Sequence, residues 1–368
     1  MRLLVIARPF VFHGGVERAT AGLVAALREH GHEIEILCPP GQAPVAGVTI
    51  RRLPLPPLPA TARVLAFAAA ARVAVAGGRW DVIQSHERTL RQDIYRAGEG
   101  CHRGYLATRE PRGGRGLYHR VVLALERRTL TSTPWIVAIA RRGKQEVEAL
   151  YGVNPERVSV VYNGVNLERF HPRNRDRHRA TTRAETGLPA GAWALLFIGS
   201  GFERKGLAQA IGALGALRDR HSRLMVVGKG DPAAYRALAE RLGVAARVCW
   251  LGARPDPERW YAAADVLVLP ARYEPFGNVH LEALASGLPV IASPAAGGSE
   301  LIEPGRNGAV VDPTKPEAIA AEIERLRDAA VVETTAAARR SAEPFTYAAQ
   351  VAGFERLYRR CAPNAGFA

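Results

Sequence analysis

The sequence predicts an α/β protein of two Rossmann-like domains, each a parallel sheet covered by helices, with the two domains facing a cleft. The 368-residue chain is long enough for two domains. Short apolar runs alternate with helical stretches from end to end, as in parallel sheets that are buried on both faces. A polar, charge-dense stretch with a proline, residues 169–179, separates two such series and is interpreted as the interdomain connection. We therefore expect a first domain over residues 1–168 and a second over 169–349.

Both series alternate buried strands with helical stretches. Helices are expected at residues 16–30 and 60–76 in the first series, and a terminal amphipathic helix at 347–360 follows the second. The expected strands of the first series are residues 3–7, 33–38, 48–53, 81–85, 93–97, 135–140 and 158–162. Those of the second series are residues 194–198, 224–227, 248–251, 266–269, 290–292 and 309–311.

The composition is that of an ordinary globular enzyme. Apolar residues make up 48% of the chain, and no apolar run approaches the ~18 residues that span a bilayer. The first apolar run is too short for a secretory signal, and we interpret it as a strand. The four cysteines are scattered, which is typical of free thiols in a reducing compartment. We therefore expect a cytoplasmic protein.

Part of the net charge of +15 lies in one basic, amphipathic segment, residues 103–128. One interpretation is contact with an anionic membrane surface through Arg112, Arg115 and Arg120, each basic residue contributing about 1 kcal/mol. The protein would then be peripheral on the inner face of the cytoplasmic membrane. The other interpretation is a helix packed on its own domain with a solvated arginine face. No aromatic-interleaved basic patch or nucleic-acid motif is present, so we expect no nucleic-acid partner.

The segment 270–290 carries two carboxylates, Glu274 and Glu282, on either side of the turn Phe276-Gly277-Asn278. An apolar strand precedes Glu274, which places this residue at the carboxyl end of a strand, where open α/β sheets bind ligands. Glu282 is expected about two turns inside the following helix. The N–H groups of the turn lie at a helix N-terminus, which favours anions. The segment suits a nucleotide-sugar, and the alternative is a solvated loop followed by a surface helix.

Two glycine-rich turns connect a strand to a helix. Gly14-Gly15 follows the first strand, where glycine would let the backbone approach a ligand, although packing alone could also require it. The second turn carries Arg204 and Lys205, which suit a diphosphate because they would neutralise charge on a leaving group, although such a pair could also be solvated surface. Gly228 ends the next strand and could frame a nucleoside base. Neither turn is the dinucleotide fingerprint, which argues against a nicotinamide-linked oxidoreductase.

Taken together, these motifs resemble the retaining glycosyltransferases of family 4, which have the GT-B fold. The residues that carry the resemblance are Glu274-x7-Glu282, Arg204-Lys205-Gly206, Gly14-Gly15 and residues 162–170, and the similarity covers nearly the whole chain. It implies that a C-terminal helix within residues 350–368 crosses back to the N-terminal domain, which would bind the acceptor. More narrowly, residues 199–206, 262–270 and 93–101 resemble the lipopolysaccharide core glucosyltransferases.

The resemblance implies a role for each candidate residue. As catalytic groups, Arg204 and Lys205 would hold the donor diphosphate and Glu274 the hydroxyls of the transferred sugar, while Glu282 would bind the ribose. Members of the family commonly place a histidine after the strand at 93–97. Here Glu99 occupies the aligned position and His102 follows, so both are candidates for the reacting centre. Further donor-binding candidates are Gly15, Arg169, Gly199, Gly228, Phe276, Gly277 and Asn278, and the acceptor-binding candidates are Gly14 and Asp93.

The implied activity is the retaining, metal-independent transfer of a hexose from a nucleoside diphosphate sugar to a glycan or glycolipid acceptor, without a cofactor. The narrower resemblance implies glucose, UDP-glucose and the lipopolysaccharide core. Ala19 stands where the lipopolysaccharide enzyme has an acidic residue, so a family 4 transferase with another acceptor is one alternative. The unusual Glu99 region leaves open a second, a nucleotide-sugar-binding protein without transfer activity.

Overall fold

The chain folds into two compact units in the computed structural model, which describes residues 1–10, 15–109 and 116–363. The first unit contains Met1–Gly164 and Tyr347–Ala368, and the second contains Val165–Thr346. Both boundaries lie a few residues before the divisions expected from the sequence. Across the described ranges, none of the helices has the length and apolar character needed to cross a membrane.

Each unit is built on one parallel sheet. In the described part of the first unit, strands β1 to β7 are Arg2–Ile6, Glu33–Cys38, Thr49–Arg52, Val82–Ser85, Ile94–Ala97, Trp135–Ala138 and Val158–Val160, in the spatial order β3-β2-β1-β4-β5-β6-β7. In the second unit, strands β8 to β13 are Ala194–Ile198, Arg223–Val227, Val248–Gly252, Val266–Leu269, Val290–Ala292 and Gly308–Val310, in the order β10-β9-β8-β11-β12-β13. Every strand expected from the sequence is present, and the α/β fold with two parallel sheets is confirmed.

Helices fill the intervals between the strands. In chain order, helices α1 to α5 are Gly15–Glu29, Ala60–Ala74, His102–Ala107, Leu117–Ser132 and Arg141–Tyr151. Helices α6 to α10 are Asn174–Glu185, Phe202–Lys205, Leu207–Ala216, Ala233–Arg241 and Pro257–Ala263. Helices α11 to α14 are Asn278–Ala285, Pro316–Asp328, Val331–Ala342 and Tyr347–Cys361, and short 3₁₀ turns lie at Pro155–Arg157, Ala245–Arg247 and Gly297–Leu301.

The C-terminal helix α14 packs on the first unit, although it follows the last strand of the second. Val351 and Phe354 are fully buried in the same apolar core as Leu23 of α1. The buried hydroxyl of Tyr358 donates a hydrogen bond to Gln84 Oε1 at 2.7 Å. The expectation that the terminal helix returns to the N-terminal domain is confirmed.

The interpretation of residues 169–179 as an interdomain connection is wrong, because most of this stretch lies in helix α6 of the second unit. Arg175, Arg179 and Arg183 are spaced four residues apart on one face of that helix. All three lie within 3.5 Å of the carboxylate of Asp265, which precedes β11. The charge density that suggests a solvated linker is therefore an ion-pair cluster that fastens α6 to the sheet.

Candidate functional site

Strands β8 and β11 are neighbours at the point where the strand order of the second sheet reverses. Because all strands of this sheet are parallel, the loops that follow β8 and β11 leave the same edge, and open α/β sheets bind ligands at such a reversal. Arg204 and Lys205 follow β8, and Glu274 follows β11. The structure therefore brings together the three charged residues that the sequence indicated.

Gly206 allows these two loops to touch. Its φ is +81°, and a Cβ at this position would lie 2.1 Å from the backbone oxygen of Pro270. The loops are also joined by a hydrogen bond from the N–H of Arg272 to the carbonyl of Arg204, at 2.8 Å. Arg204 and Lys205 thus end the single-turn helix α7, which is held directly against the loop after β11.

Arg204 and Lys205 converge on one oxygen of Glu274. Arg204 Nη1 lies 3.0 Å and Lys205 Nζ 3.3 Å from Glu274 Oε2. Lys205 and Glu274 are buried, with 9% and 8% of their surfaces exposed, whereas Arg204 is half-buried. Two cations and one carboxylate leave one positive charge, so the Arg204–Lys205–Glu274 cluster has positive charge to offer an anionic ligand.

The carboxyl group of Glu274 is ionised in this cluster. Burial alone would raise the pKa of Glu274, but Lys205 and Arg204 outweigh it and hold the pKa below its ordinary value of 4.5. An ionised carboxylate accepts hydrogen bonds from hydroxyl groups and has no proton to donate. This state agrees with the interpretation that Glu274 binds sugar hydroxyls and does not act as a general acid.

The turn Phe276-Gly277-Asn278 leads into helix α11, which begins at Asn278. Gly277 has a φ of +82°, and a Cβ there would lie 3.0 Å from Cγ of Glu274. The first turn of a helix carries the positive end of the helix dipole and main-chain N–H groups that have no intrahelical acceptor. The N-terminus of α11, an end of the kind that favours anions, therefore lies beside the Arg204–Lys205–Glu274 cluster.

Glu282 lies one turn inside α11 and not two, because the helix begins at Asn278. Glu282 is buried, with 8% of its surface exposed, and its Oε2 accepts a hydrogen bond from the hydroxyl of Tyr261 at 2.7 Å. Tyr261 lies in α10 and packs edge-on against Phe170. Sequence reasoning missed Tyr261, because the apolar residues around it mark it as an ordinary core side chain and only its hydroxyl suggests another role.

The other donor-binding candidates of the second unit lie in two places. Gly199 and Gly228 follow the neighbouring strands β8 and β9, and a Cβ on Gly228 would lie 2.2 Å from the carbonyl oxygen of Gly199. Arg169 is engaged elsewhere: its Nε donates to Glu258 Oε2 at 3.0 Å. The structure thus places the two glycines at the edge of the candidate site and pairs Arg169 with a carboxylate at the start of α10.

In the first unit, Glu99 lies between two arginines that sequence reasoning missed. Glu99 Oε1 is 2.8 Å from Arg8 Nη2, and Oε2 is 3.4 Å from Arg88 Nη1. Burial would raise the pKa of Glu99, but Arg8 and Arg88 outweigh it and hold the pKa below 4.5. These residues follow β1, β4 and β5, which are adjacent in the sheet but distant in sequence.

His102, the other candidate for the reacting centre, begins helix α3. Its main-chain N–H donates to Glu126 Oε2 at 2.6 Å, and its ring Nε2 lies 2.9 Å from Nδ1 of His119. Burial lowers the pKa of His102. The same buried Glu126 pairs with Arg88 at 2.9 Å. Glu126 therefore connects the backbone of His102 to the arginine that holds Glu99.

Asp93 is separated from Glu99 by the length of strand β5. It precedes the strand, at the amino edge of the parallel sheet, and its Oδ2 accepts the N–H of Ile83 at 2.8 Å. Since ligands of such sheets bind at the carboxyl edge, this placement argues against the acceptor-binding role and gives Asp93 a structural one. Gly15 is the exposed first residue of α1, and Gly14 lies outside the described residues.

Helix α4 combines features of both interpretations of the basic segment. Val122 and Leu125 are buried, so part of the apolar stripe packs on the first unit. Leu117 and Tyr118 are 67% and 39% exposed, close in sequence to exposed Arg120. The remaining predicted membrane contacts, Arg112 and Arg115, lie outside the described residues.

All four cysteines carry free thiols. In the part of the chain that the structure describes, no group of three or more His, Cys, Asp and Glu side chains is arranged to hold a metal ion.

Comparison with known proteins identifies the family. Residues 13–169 match glycosyltransferase family 4, and residues 193–328 match the glycosyl transferases group 1. The D-inositol 3-phosphate glycosyltransferase of Acidothermus cellulolyticus is 30% identical over 364 residues, covering 86% of this chain and 78% of that protein. The lipopolysaccharide glucosyltransferase WaaG of Escherichia coli is 31% identical over 230 residues, or 60% of each chain. The match to several other D-inositol 3-phosphate glycosyltransferases spans 52–56% of their length.

Solved structures share the fold over the whole chain. A crystal structure of WaaG, a glycosyltransferase involved in lipopolysaccharide biosynthesis, superimposes with a TM-score of 0.81 and 23% identity over 100% of both chains. HepE of Anabaena, in complex with UDP and glucose, gives a TM-score of 0.76 and 19% identity over 97% of this chain and 99% of that one. On its sequence matches and its two parallel sheets, the chain belongs to glycosyltransferase family 4 and has the GT-B fold.

Proposed function

We propose that this glycosyltransferase is a retaining hexosyltransferase that uses UDP-glucose as donor and the lipopolysaccharide core as acceptor. The observation that carries the proposal is the Arg204–Lys205–Glu274 cluster at the strand-order reversal, beside the N-terminus of α11. A nucleoside diphosphate sugar offers two negative phosphates to the cations and hydroxyl groups to the carboxylate. Each charged group of the cluster therefore has a complementary group in a nucleoside diphosphate sugar.

The proposed reaction depends on departure of the diphosphate. As the bond between the anomeric carbon and the phosphate oxygen breaks, its electron pair remains on the phosphate, and Arg204 and Lys205 stabilise the added charge. The acceptor hydroxyl attacks the oxocarbenium-like centre from the same face and passes its proton to the departing phosphate oxygen, so the anomeric configuration is retained. The two cations supply positive charge for which other enzymes use a divalent ion, and we propose that the reaction needs neither metal nor cofactor.

Relatives support the proposed substrates. WaaG is named a lipopolysaccharide glucosyltransferase, and HepE has been crystallised with UDP-glucose. A second candidate acceptor is a phosphorylated cyclitol, because the D-inositol 3-phosphate glycosyltransferase of Acidothermus cellulolyticus matches a larger share of the chain than WaaG does. We propose that the first unit binds the acceptor and that Glu99 or His102 lies at the reacting centre.

The decisive experiment is a screen of donors against both acceptors. The protein is incubated with the UDP-, GDP- and ADP-linked forms of glucose, galactose and mannose, and released nucleotide is measured with lipopolysaccharide core oligosaccharide or D-inositol 3-phosphate present. We expect UDP release from UDP-glucose with the core acceptor, an α-linked product by NMR, and an unchanged rate in EDTA. No nucleotide release with any pair would refute transferase activity.

We also propose that residues 103–128 contact an anionic membrane surface and that the protein is a peripheral protein on the inner face of the cytoplasmic membrane. The exposed Leu117 and Tyr118 close to Arg120 support this proposal. Cosedimentation with vesicles containing phosphatidylglycerol should weaken as salt is raised, since charges are screened beyond about 10 Å at 0.1 M. A variant with Arg112, Arg115 and Arg120 all changed to Glu that cosediments as well as the wild type would exclude this surface.

A further inference from the structure

His280, the third residue of helix α11, lies beneath the Phe276-Gly277-Asn278 turn. Its ring Nδ1 is 3.1 Å from the carbonyl oxygen of Gly277 and 3.3 Å from that of Phe276. The side chain is completely buried. Because a carbonyl oxygen can only accept a hydrogen bond, Nδ1 carries the proton and donates to this pair of oxygens.

These two carbonyls determine where the N–H groups of the turn point. A trans peptide is planar, and its C=O and N–H point in opposite directions. With the Phe276 carbonyl turned towards the buried ring, the N–H of Gly277 points away from it. The carbonyl of Gly277 fixes the N–H of Asn278 in the same way. The ring therefore acts together with the main-chain donors of these carbonyls to fix the orientation of both peptide planes at the N-terminus of α11.

Two glycines make room for the ring. A Cβ on Gly277 would lie 2.4 Å from His280 Nδ1, and a Cβ on Gly298 would lie 2.7 Å from the same atom. Any other residue at either position would displace the ring or the turn. Glycine at positions 277 and 298 therefore leaves the space in which Nδ1 reaches the two carbonyls.

The buried ring of His280 lowers the stability of the fold. Its Nε2 is buried and has no hydrogen-bond partner among the described residues, and an unsatisfied buried polar atom destabilises a protein. The two carbonyls also have main-chain donors, Gly298 N to Phe276 O at 2.6 Å and His280 N to Gly277 O at 2.9 Å. Removing the ring would therefore leave neither carbonyl without a donor. Burial lowers the pKa of His280 to about 4, so the ring is neutral near pH 7.

We propose that His280 is a positioning residue that orients the peptide planes of the Phe276-Gly277-Asn278 turn for binding the donor diphosphate. The proposal rests on the proposed function, since it requires a nucleoside diphosphate ligand. According to this proposal, His280 affects binding of the diphosphate and of no other part of the donor. Loss of the ring should thus weaken binding of a nucleoside diphosphate and leave binding of the nucleoside unchanged.

The test compares wild type, His280→Leu and His280→Asn, in which the amide can place a donor near Nδ1. Calorimetry measures the Kd of UDP, GDP and ADP and of their nucleosides, and thermal unfolding measures stability. His221→Leu, a change at an exposed histidine of the same unit, is the matched control. For the nucleotide that wild type binds best, we expect about 3- to 10-fold weaker binding by His280→Leu, the loss of about one hydrogen bond. Nucleoside binding and Tm should stay near wild type, and His280→Asn should recover most of the loss.

Several outcomes would overturn the proposal. Equal diphosphate affinity in His280→Leu and wild type, or an equal loss for nucleotide and nucleoside, would exclude a specific role at the diphosphate. If His280→Leu fails to fold, His280→Gln is used instead, because its longer amide reaches the Nε2 position and not the Nδ1 position. An affinity for His280→Gln equal to that of His280→Asn would then refute the proposal. A wild type that binds nucleosides but no diphosphate would overturn the proposed donor site itself.

Discussion

Replacing Lys205 with alanine removes one of the two cations that we assign to the leaving group. Lys205 is 9% exposed, and its Nζ lies 3.3 Å from Glu274 Oε2. At an effective dielectric constant of about 20, two unit charges at this distance interact by about 5 kcal/mol before desolvation is subtracted. Arg204 remains 3.0 Å from the same oxygen, so only part of the electrostatic stabilisation is lost. Loss of one preorganised donor to a developing oxyanion typically costs about 2.7–4 kcal/mol, or about 10²- to 10³-fold in kcat.

The assay measures kcat and KM with saturating acceptor, and circular dichroism and chemical denaturation measure the fold of Lys205→Ala. Lys315→Ala is the matched control, because Lys315 is an exposed lysine of the same unit that pairs only loosely with Asp312, at 4.0 Å. We expect Lys315→Ala to retain wild-type kcat. We expect Lys205→Ala to keep the fold and to lower kcat by about 10²- to 10³-fold. The change in KM should be smaller, because the stabilised charge develops in the transition state.

Two results would refute this reasoning. A folded Lys205→Ala with kcat within about threefold of wild type would show that the lysine does not stabilise the leaving group. A variant that raises KM but leaves kcat unchanged would show that Lys205 binds the ground state and the transition state equally.

Three further predictions concern stability and the donor site. Asp265→Asn should lower the free energy of unfolding by about 3–5 kcal/mol in urea denaturation, because it leaves three arginines of α6 without a carboxylate. Tyr261→Phe should raise KM for the donor by up to about tenfold, since Glu282 loses a buried hydrogen bond with a net worth of about 0.5–1.5 kcal/mol; an unchanged KM would contradict this. Because the pKa of Glu274 is held below 4.5, its contribution to stability is present above pH 4.5 and is lost as the pH falls through the folded-state pKa. Glu274→Gln should therefore lose less stability than wild type between pH 5 and pH 3.

Strand positions could be predicted because their signal is local. A buried parallel strand is a short continuous apolar run, and Val266–Leu269 has the expected bounds in the structure. Local patterns led to the wrong prediction that residues 169–179 connect the two domains. Arg175 and Arg179 pair with Asp265, which lies 86 residues beyond Arg179 in the chain, so no local pattern shows that this part of the stretch is tied to the sheet.

Some residues of the candidate site could likewise be predicted from the sequence, and others could not. Arg204, Lys205 and Glu274 could be predicted as a group, because each follows an apolar strand and the carboxyl ends of parallel strands share an edge. Arg8 and Arg88 could not, since nothing in the residues beside them indicates that β1, β4 and β5 are neighbours. Their pairing with Glu99 follows from strand order.

By itself, the sequence determined the α/β class, the strands and helices, the glycine turns and the residues that resemble family 4, because periodicity and turn chemistry act over a few residues. Only the tertiary structure decided that both cations share one oxygen of Glu274, that the hydroxyl of Tyr261 donates to Glu282, and that the ring of His280 contacts the carbonyls of Phe276 and Gly277. Those contacts depend on the order of strands and the packing of helices, which join residues far apart in the chain.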